Sequence, residues 1–438
     1  MEIKLPANVS EIIDILQNAG FEAYCVGGAV RDSIMGFTPD DWDITTSATP
    51  DETRRLFKDY KTIDTGIKHG TLTVIIDHKP YEVTTFRIDG EYNDNRHPEE
   101  VVFTPDLKND LARRDFTVNA LAYNNTSGLV DLYGGTDDIY NSIIKTVGNP
   151  DKRFNEDGLR ILRALRFAAV LGFDIEPETA AAIHRNKYLL KNISAERINI
   201  ELSKLICGKN AFNILMEYPD VLSVFIPEIE PAVKFTQYGK KHAYDVWEHI
   251  CHTVDTIPQD KILRLTMLLH DLGKVPTHKL NEKGDSTFKN HATVGGEMAK
   301  EILTRLKFDR KTINRVSYLV SYHDFEPPET KLELKRHLKT KAPEDIRTLL
   351  VIKKSDRGAL SEKYRDISEG TAQTLKWLKE IEENKECCTL KELAVTGNDI
   401  IEKGIKGEDV GKTLNMLLDA VIEGKIPNTK SSLLTYLL

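Results

Sequence analysis

The stretch AYCVGGAVRDSIMGFTPDDWDITT, residues 23–46, decides how the first third of the chain is read. Apolar residues lead into Gly27-Gly28 and helical spacing follows at once, which predicts strand, tight turn and helix. The two glycines let the backbone approach a ligand closely, and the helix N-terminus that opens there favours phosphate. Arg31, one turn in, is placed to hold a phosphate oxygen. Asp41-Trp42-Asp43 then falls in what reads as the next strand, where alternation puts both aspartates on one face. Paired hard carboxylates suit Mg2+, which prefers oxygen ligands and keeps bonds to substrate phosphates. Two such ions activate an attacking hydroxyl and stabilise a departing pyrophosphate. Glu82, between Tyr81 and Val83 in a later strand, completes a three-carboxylate cluster if that strand is adjacent. Alone, each signal is weak: the glycine turn is more often structural, and a lone aspartate pair or an alternating Glu is as readily a solvated strand face.

Working outward, FEAYCV (21–26), WDITT (42–46), GTLTVIID (70–77) and YEVTTF (81–86) read as strands, with helical stretches around 9–19, 29–36 and 50–58. From about residue 153 the strand signals vanish, and RFNEDGLRILRALRFAAVLGF (153–173) repeats apolar residues at helical spacing. Pro219 and Pro227 mark one junction, and the polar run EIEENKECC (380–388) another. The expected fold is α+β: a mixed α/β head over 1–145, an all-α neck over 146–215, a histidine-rich helical body over 216–380 and a helical tail over 381–438. A chain of 438 residues is too long for one core.

A hydrophobic share of 40% and a charged share of 29% are those of a soluble globular protein. No apolar run approaches the ~20 residues that span a bilayer, and the N-terminus lacks the pattern of a signal peptide. Cysteines 25, 207, 251, 387 and 388 are odd in number and in no CxxC spacing, which suits a reducing cytoplasm. A net charge of −8 argues against a general nucleic-acid coat but leaves room for one RNA gripped by a local basic face.

Gly-Gly, then DxD, then an acid between apolar residues resembles the polymerase-β nucleotidyltransferase superfamily. GGAVRD (27–32), PDDWDITT (39–46), TGIKHGTLTV (65–74), RRDFTVNALAY (113–123), EDGLRILRALRF (156–167) and SAERI (194–198) narrow the resemblance to the bacterial class II tRNA nucleotidyltransferases. The likeness extends to the tail, LAVTGNDIIEKGIKGEDVGKTLNMLLDAVIEGKIPN (393–428). It implies addition of C, C and A to the 3′ end of tRNA from CTP and ATP, without a nucleic-acid template and with Mg2+ on Asp41 and Asp43. It further implies that Asp157 and Arg160 serve as a protein template for the base. Three apart, the two are expected on one helical face. A carboxylate accepts from an exocyclic amine and a guanidinium donates to a ring nitrogen, so C and A pair while G and U leave polar groups unmet. Arg163 and Arg166 continue that stripe toward triphosphate or RNA backbone, or else form ion pairs with Glu156 and Asp157. The resemblance gives ribose and triphosphate contacts to Arg114, Asp115 and Asn119, and makes the polar segment 88–110 the loop tied to adding the terminal A.

Rivals remain. A poly(A) polymerase shares the head, but typically has a GRRF-type stretch where this chain has TGIKHG, and a long basic tail. An A-only partner of a CC-adding enzyme is a further alternative, as is a purely structural RNA-binding module.

His249, His270-Asp271 and Asp356 follow the H…HD…D pattern of HD-domain phosphohydrolases, with His291 and His323 as the extra ligands of a two-metal version. Imidazole with carboxylate suits Mn, Fe, Ni, Zn or Mg. The pattern implies hydrolysis of 2′,3′-cyclic, 2′-nucleotide or phosphate ends of damaged tRNA; a relic scaffold, or an HD phosphohydrolase with a silent head, are the alternatives. For tRNA phosphates the densest basic run is KLELKRHLKTK (331–341), with Lys353, Lys354 and Arg357. Few aromatics interleave it, so folded RNA read by shape and backbone is the expected partner, with no DNA and no membrane.

Overall fold

The computed structural model describes residues 2–90 and 101–437. The chain forms two compact units: Met1–Pro231 with Gln259–Lys261 and Ile302–Asp309, and Ala232–Pro258 with Ile262–Glu301 and Arg310–Leu438.

The first unit is built on a seven-stranded mixed sheet. Its strands are β1 (Ala23–Val26), β2 (Asp43–Thr46), β3 (Lys61–Gly66), β4 (Thr71–Ile76), β5 (Lys79–Thr85), β8 (Leu121–Asn124) and β9 (Gly128–Asp131), in the order β3-β4-β5-β2-β1-β8-β9. Between β5 and β8 in the chain lie β6 (Arg87–Asp89) and β7 (Val101–Phe103), which pair as a separate ribbon. Only β2 and β5 run parallel, with Ile44 opposite Val83; the other pairs of the main sheet are antiparallel. Central β1 and β8 are buried at every position. Helices α1 (Ala7–Asn18), α2 (Gly28–Ile34) and α3 (Pro50–Leu56) fall where periodicity predicts them, and α1 buries Val9, Ile12, Ile13 and Leu16 at helical spacing. α3 starts with a Thr49–Glu52 capping box.

Strands β3, β8 and β9 carry no clear sequence signal. β3 is an edge strand with the mostly polar sequence KTIDTG, so nothing in it alternates. β8, LAYN, is too short and too uniformly buried to show a period. The expected loop 88–110 pairs at its flanks through β6 and β7; residues 91–100 lie outside the described residues.

Next come α4 (Leu107–Ala112), α5 (Gly135–Tyr140), α6 (Pro150–Glu156), α7 (Leu159–Leu171), α8 (Pro177–Asn186), α9 (Ala195–Ile206), α10 (Ala211–Glu217) and α11 (Pro219–Leu222). The run 153–173, expected as one helix, is two. Asp157 adopts extended dihedrals, φ −141° and ψ 106°, and separates α6 from α7. Gly158 permits the break because a Cβ there would lie 3.0 Å from the Leu189 carbonyl oxygen.

Beyond Pro231 the chain is helical apart from a small hairpin at Lys279–Leu280 and Ser286–Thr287. Its helices are α12 (Val246–Thr256), α13 (Lys261–Leu269), α14 (Lys274–Thr277), α15 (His291–Arg305), α16 (Arg310–Ser321), α17 (Lys331–Leu338), α18 (Pro343–Gly358), α19 (Ser368–Glu383), α20 (Gly397–Glu402), α21 (Glu408–Ile422) and α22 (Lys430–Thr435). Ile400, Leu417, Leu418, Ile422 and Leu433 close the core of the C-terminal part. Among the described residues no helix is long and apolar enough to cross a membrane.

Candidate functional site

Asp43 opens β2, and Asp41 lies just before the strand rather than in it. Alternation still holds across the boundary: Trp42 is buried while Asp41 and Asp43 face solvent. The parallel pairing of Ile44 with Val83 brings Glu82 beside Asp43. Packing around Asp43 raises its pKa above the ordinary aspartate value, and the charge of Asp41 adds to it. Glu82 is raised by burial first and then by Asp43 and Asp41. The charge of Asp41 adds to the shift of Asp43, and both charges add to that of Glu82, a repulsion that a bound cation would relieve. The oxygen-only donor set fits Mg2+.

Beside these acids stands the glycine turn. Gly27 has φ +72°, and a Cβ on it would lie 3.1 Å from Arg114 Nη1, so the guanidinium is packed against the turn. Arg114 Nη2 lies 3.5 Å from Asp110 Oδ2, and its buried Nε has no hydrogen-bond partner. Asp110, which the sequence reading passes over, is fully buried; it accepts from Arg113 Nη2 at 2.7 Å and from Thr45 Oγ1 at 3.2 Å. Burial opposes its ionisation, but Arg113 and Arg114 outweigh that and hold the carboxyl below its ordinary pKa. The available signal was an acid three and four residues before Arg113-Arg114.

Arg31, Asn119, Asp115, Arg163 and Arg166 join in one chain of polar contacts. Arg31 Nη1 donates to Asn119 Oδ1 at 2.6 Å, and Asn119 Nδ2 to Asp115 Oδ1 at 3.1 Å. Arg163 Nη2 lies 2.6 Å from Asp115 Oδ2, and Arg166 Nε donates to Glu201 Oε2 at 2.8 Å. The Phe167 ring is shared by the guanidiniums of Arg166, Arg31 and Arg163, at 3.6, 5.1 and 5.3 Å from its centroid. The expected partners Glu156 and Asp157 are therefore not those of Arg163 and Arg166. Glu201, a buried acid on α9, had no sequence signal.

Asp157 and Arg160 sit together at the α6–α7 junction, yet not on one helical face, because Asp157 is outside both helices. Asp157 Oδ1 accepts from the Leu159 N–H at 3.0 Å, tying the carboxylate to the start of α7. Arg197 Nη2 donates to Asp157 Oδ2 at 2.8 Å. Arg160 Nη1 donates to Glu156 Oε2 at 2.6 Å and its Nη2 to the Arg113 carbonyl at 2.9 Å. Arg197 belongs to SAERI, a stretch to which sequence alone attached no role.

The second unit holds the histidine cluster. His249, His270, Asp271 and Asp356 bring one ligand atom each within 4.8 Å of one another, as do Asp271, His291 and His323. The Nδ1–H groups of His270, His291 and His323 donate to the carbonyls of Met267, Phe288 and Val320 at 2.7, 2.8 and 2.7 Å. That fixes the tautomer and leaves each Nε2 lone pair facing inward. Nε2 atoms approach at 3.3 Å (His249 and His270) and 3.2 Å (His291 and His323). Both Asp271 oxygens are buried without a hydrogen-bond partner, although Lys274 Nζ lies 2.6 Å from Oδ2. Buried carboxylate oxygens ringed by imidazole nitrogens fit a transition metal, with both groups as donors. Lys274, which also donates to Gln237 Oε1 at 2.9 Å, is a buried cation beside the cluster.

The basic run 331–341 is largely neutralised. Lys331 and Lys335 pair with Glu386, Arg336 with Glu423 and Lys339 with Asp419.

A mixed sheet carrying clustered acids beside a glycine turn, followed by helices lined with arginine, defines a nucleotidyltransferase with a polymerase-type head. Residues 23–145 match the Poly A polymerase head domain, 172–233 the RNA- and SrmB-binding site of polymerase A, and 288–437 the second domain of tRNA nucleotidyltransferases. A CCA-adding enzyme of Ligilactobacillus salivarius is 46% identical over 54% of this chain, which spans 60% of that protein's length. One from Levilactobacillus brevis is 33% identical over 96% of this chain and 95% of its own. The crystal structure of the Bacillus stearothermophilus CCA-adding enzyme in complex with CTP is 30% identical, with a TM-score of 0.74 over 99% of this chain and 97% of that one. The chain belongs to the CCA-adding enzymes.

Proposed function

We propose that this chain adds C, C and A to the 3′ end of tRNA from CTP and ATP, releasing pyrophosphate. The observation that carries the reading is the acid cluster of Asp41, Asp43 and Glu82 in the same unit as the Asp157–Arg160 junction, in a chain whose likeness to a CCA-adding enzyme covers 96% of its length. A divalent cation, Mg2+ by the all-oxygen donor set, would be held by Asp41 and Asp43 and would supply Lewis acidity at the triphosphate and at the attacking 3′-hydroxyl. Gly27 and Gly28 let the backbone approach the triphosphate, with Arg31 and Arg114 beneath the turn. Arg163 and Arg166 present further guanidinium donors beside Phe167. Asp115 and Asn119 offer an acceptor and a donor to a ribose hydroxyl. Asp157 accepts from the exocyclic amine of C or A, and Arg160 donates to the adjacent ring nitrogen; Arg197 and Glu156 hold the two in place. Five free thiols support a cytoplasmic setting.

The test offers tRNA transcripts lacking CCA, or ending in CC, to CTP alone, ATP alone and both, and then sequences the ends. CCA followed by a stop is expected. Addition of A only to the CC end would make the chain an A-adder, and long A tails a polymerase.

A second reading is favoured by the inward-facing His Nε2 atoms around Asp271. We infer a metal-dependent phosphohydrolase centre in the second unit, acting on 2′,3′-cyclic, 2′-nucleotide or phosphate ends of damaged tRNA. Lack of stoichiometric transition metal after chelator stripping and reloading, together with no hydrolysis of 2′,3′-cAMP in Mn2+ or Ni2+, would sink it.

A further inference from the structure

Phe167, on α7, stands at the centre of the arginine cluster and carries no polar side-chain atom. The guanidiniums of Arg166, Arg31 and Arg163 lie 3.6, 5.1 and 5.3 Å from its ring centroid. We propose that Phe167 is a positioning residue, which gathers these three guanidiniums and presents them to the triphosphate of the incoming nucleotide. The inference rests on the triphosphate contacts given to the arginines above, and deepens them by naming the group that arranges them.

The donors of a guanidinium lie in its plane, and its two faces carry none. A carboxylate beside it therefore occupies donors that a phosphate could use. An aromatic face instead attracts the charge through the ring quadrupole and leaves the in-plane N–H groups free. Arg166 shows the difference. Its Cζ stands over the ring at 3.6 Å, and among the described residues only its Nε–H has a hydrogen-bond acceptor, Glu201 Oε2 at 2.8 Å. Both of its Nη groups are left for an anion.

Convergence on one ring is not a by-product of the helix. Arg163 and Phe167 are four apart and share a face of α7, but Arg166 is the preceding residue and must fold back to reach the ring, and Arg31 comes from α2. Three like charges brought together repel. Acids offset them singly: Asp32 pairs with Arg31 at 2.7 Å, Asp115 with Arg163 at 2.6 Å and Glu201 with Arg166 at 2.8 Å. Among the described residues only the Phe167 ring meets all three. The ring is buried and packs against that of Phe116, 5.7 Å away at an interplanar angle of 77°. A fixed ring in a buried setting is where the attraction between cation and ring is strongest.

The full-length protein and its variants are compared for binding of CTP, ATP and inorganic triphosphate by calorimetry, and for KM and kcat of C addition to tRNA. All are read at a temperature where circular dichroism shows them folded. Phe167→Leu and Phe167→Met remove the ring but keep apolar bulk, whereas Phe167→Tyr keeps the ring. The two ringless variants are expected to bind all three probes about tenfold more weakly and to raise KM for CTP by the same factor. Their kcat should stay within about threefold, with U rejected as before, since Asp157 and Arg160 stay in place. Phe167→Tyr should bind within about threefold of the wild type. Lost packing alone would lower kcat through the folded fraction at unchanged KM, or weaken Phe167→Tyr as much as Phe167→Leu; either result overturns the proposal. Wild-type affinity of Phe167→Leu for inorganic triphosphate, beside an Arg166→Ala that binds it weakly, overturns the role of Phe167 and leaves the arginine contacts standing. If Arg163→Ala and Arg166→Ala also bind it as the wild type does, the triphosphate contacts themselves fall.

Discussion

Burial alone would push the Asp115 carboxyl up, yet Arg163 and Asn119 hold it down at about 2. A carboxyl depressed from its ordinary 3.8 stabilises the fold at every pH above that value and loses its contribution as pH falls from 3.8 to about 2. The amount is on the order of 2 kcal/mol. Asp115→Asn should accordingly lower the melting temperature at pH 7, and the gap to the wild type should close near pH 2. A gap that persists there would mean that the Asp115 charge is not what binds the network. At this scale the sequence was legible where neighbours along the chain bring side chains together, as with Asp41 and Asp43 or with His270-Asp271. Glu201 and Arg197 were passed over because their partners come from other elements, and spacing says nothing about those, whereas Asp110 does carry a local signal in its spacing to Arg113 and Arg114.

The element that matters most is the broken helix at Asp157–Gly158. Apolar periodicity runs straight through residues 153–173, so the sequence reads as one helix and puts Asp157 and Arg160 on one face. The break depends on the Asp157 side chain capping Leu159 and on Leu189 filling the space beside Gly158, and neither leaves a trace in the period. Gly158→Ala would drive a Cβ against the Leu189 backbone. A cost of about 1–3 kcal/mol is expected, with Asp157 displaced and CTP bound more weakly. Calorimetry for CTP and thermal melting check both; unchanged CTP affinity would show that the junction does not position the base template. The strands followed the same division: β1, β2, β4 and β5 announce themselves by composition, whereas edge strand β3 and buried β8 do not.

Across the whole molecule, charge is arranged locally rather than in bulk. The chain carries 60 basic and 68 acidic residues. Much of its most basic run is spent on Glu380, Glu386, Asp419 and Glu423. Exposed pairs of this kind are worth about 0–1 kcal/mol each. A Lys335→Ala, Lys339→Ala double variant should therefore change tRNA affinity by less than about threefold and leave the salt dependence as it was. A salt slope reduced by about one per lysine would instead make the run a phosphate-binding surface.

The central claim is that the acids beside the glycine turn perform nucleotide addition. It is tested most directly by single-turnover incorporation of each of the four nucleotides onto tRNA lacking CCA, for the wild type, Asp41→Ala and Asp43→Ala, with CTP affinity measured in parallel. The account predicts C incorporation with U and G rejected by the wild type, and loss of at least about a thousandfold in rate in both variants while CTP affinity stays within a few-fold. Undiminished turnover in either variant would contradict it.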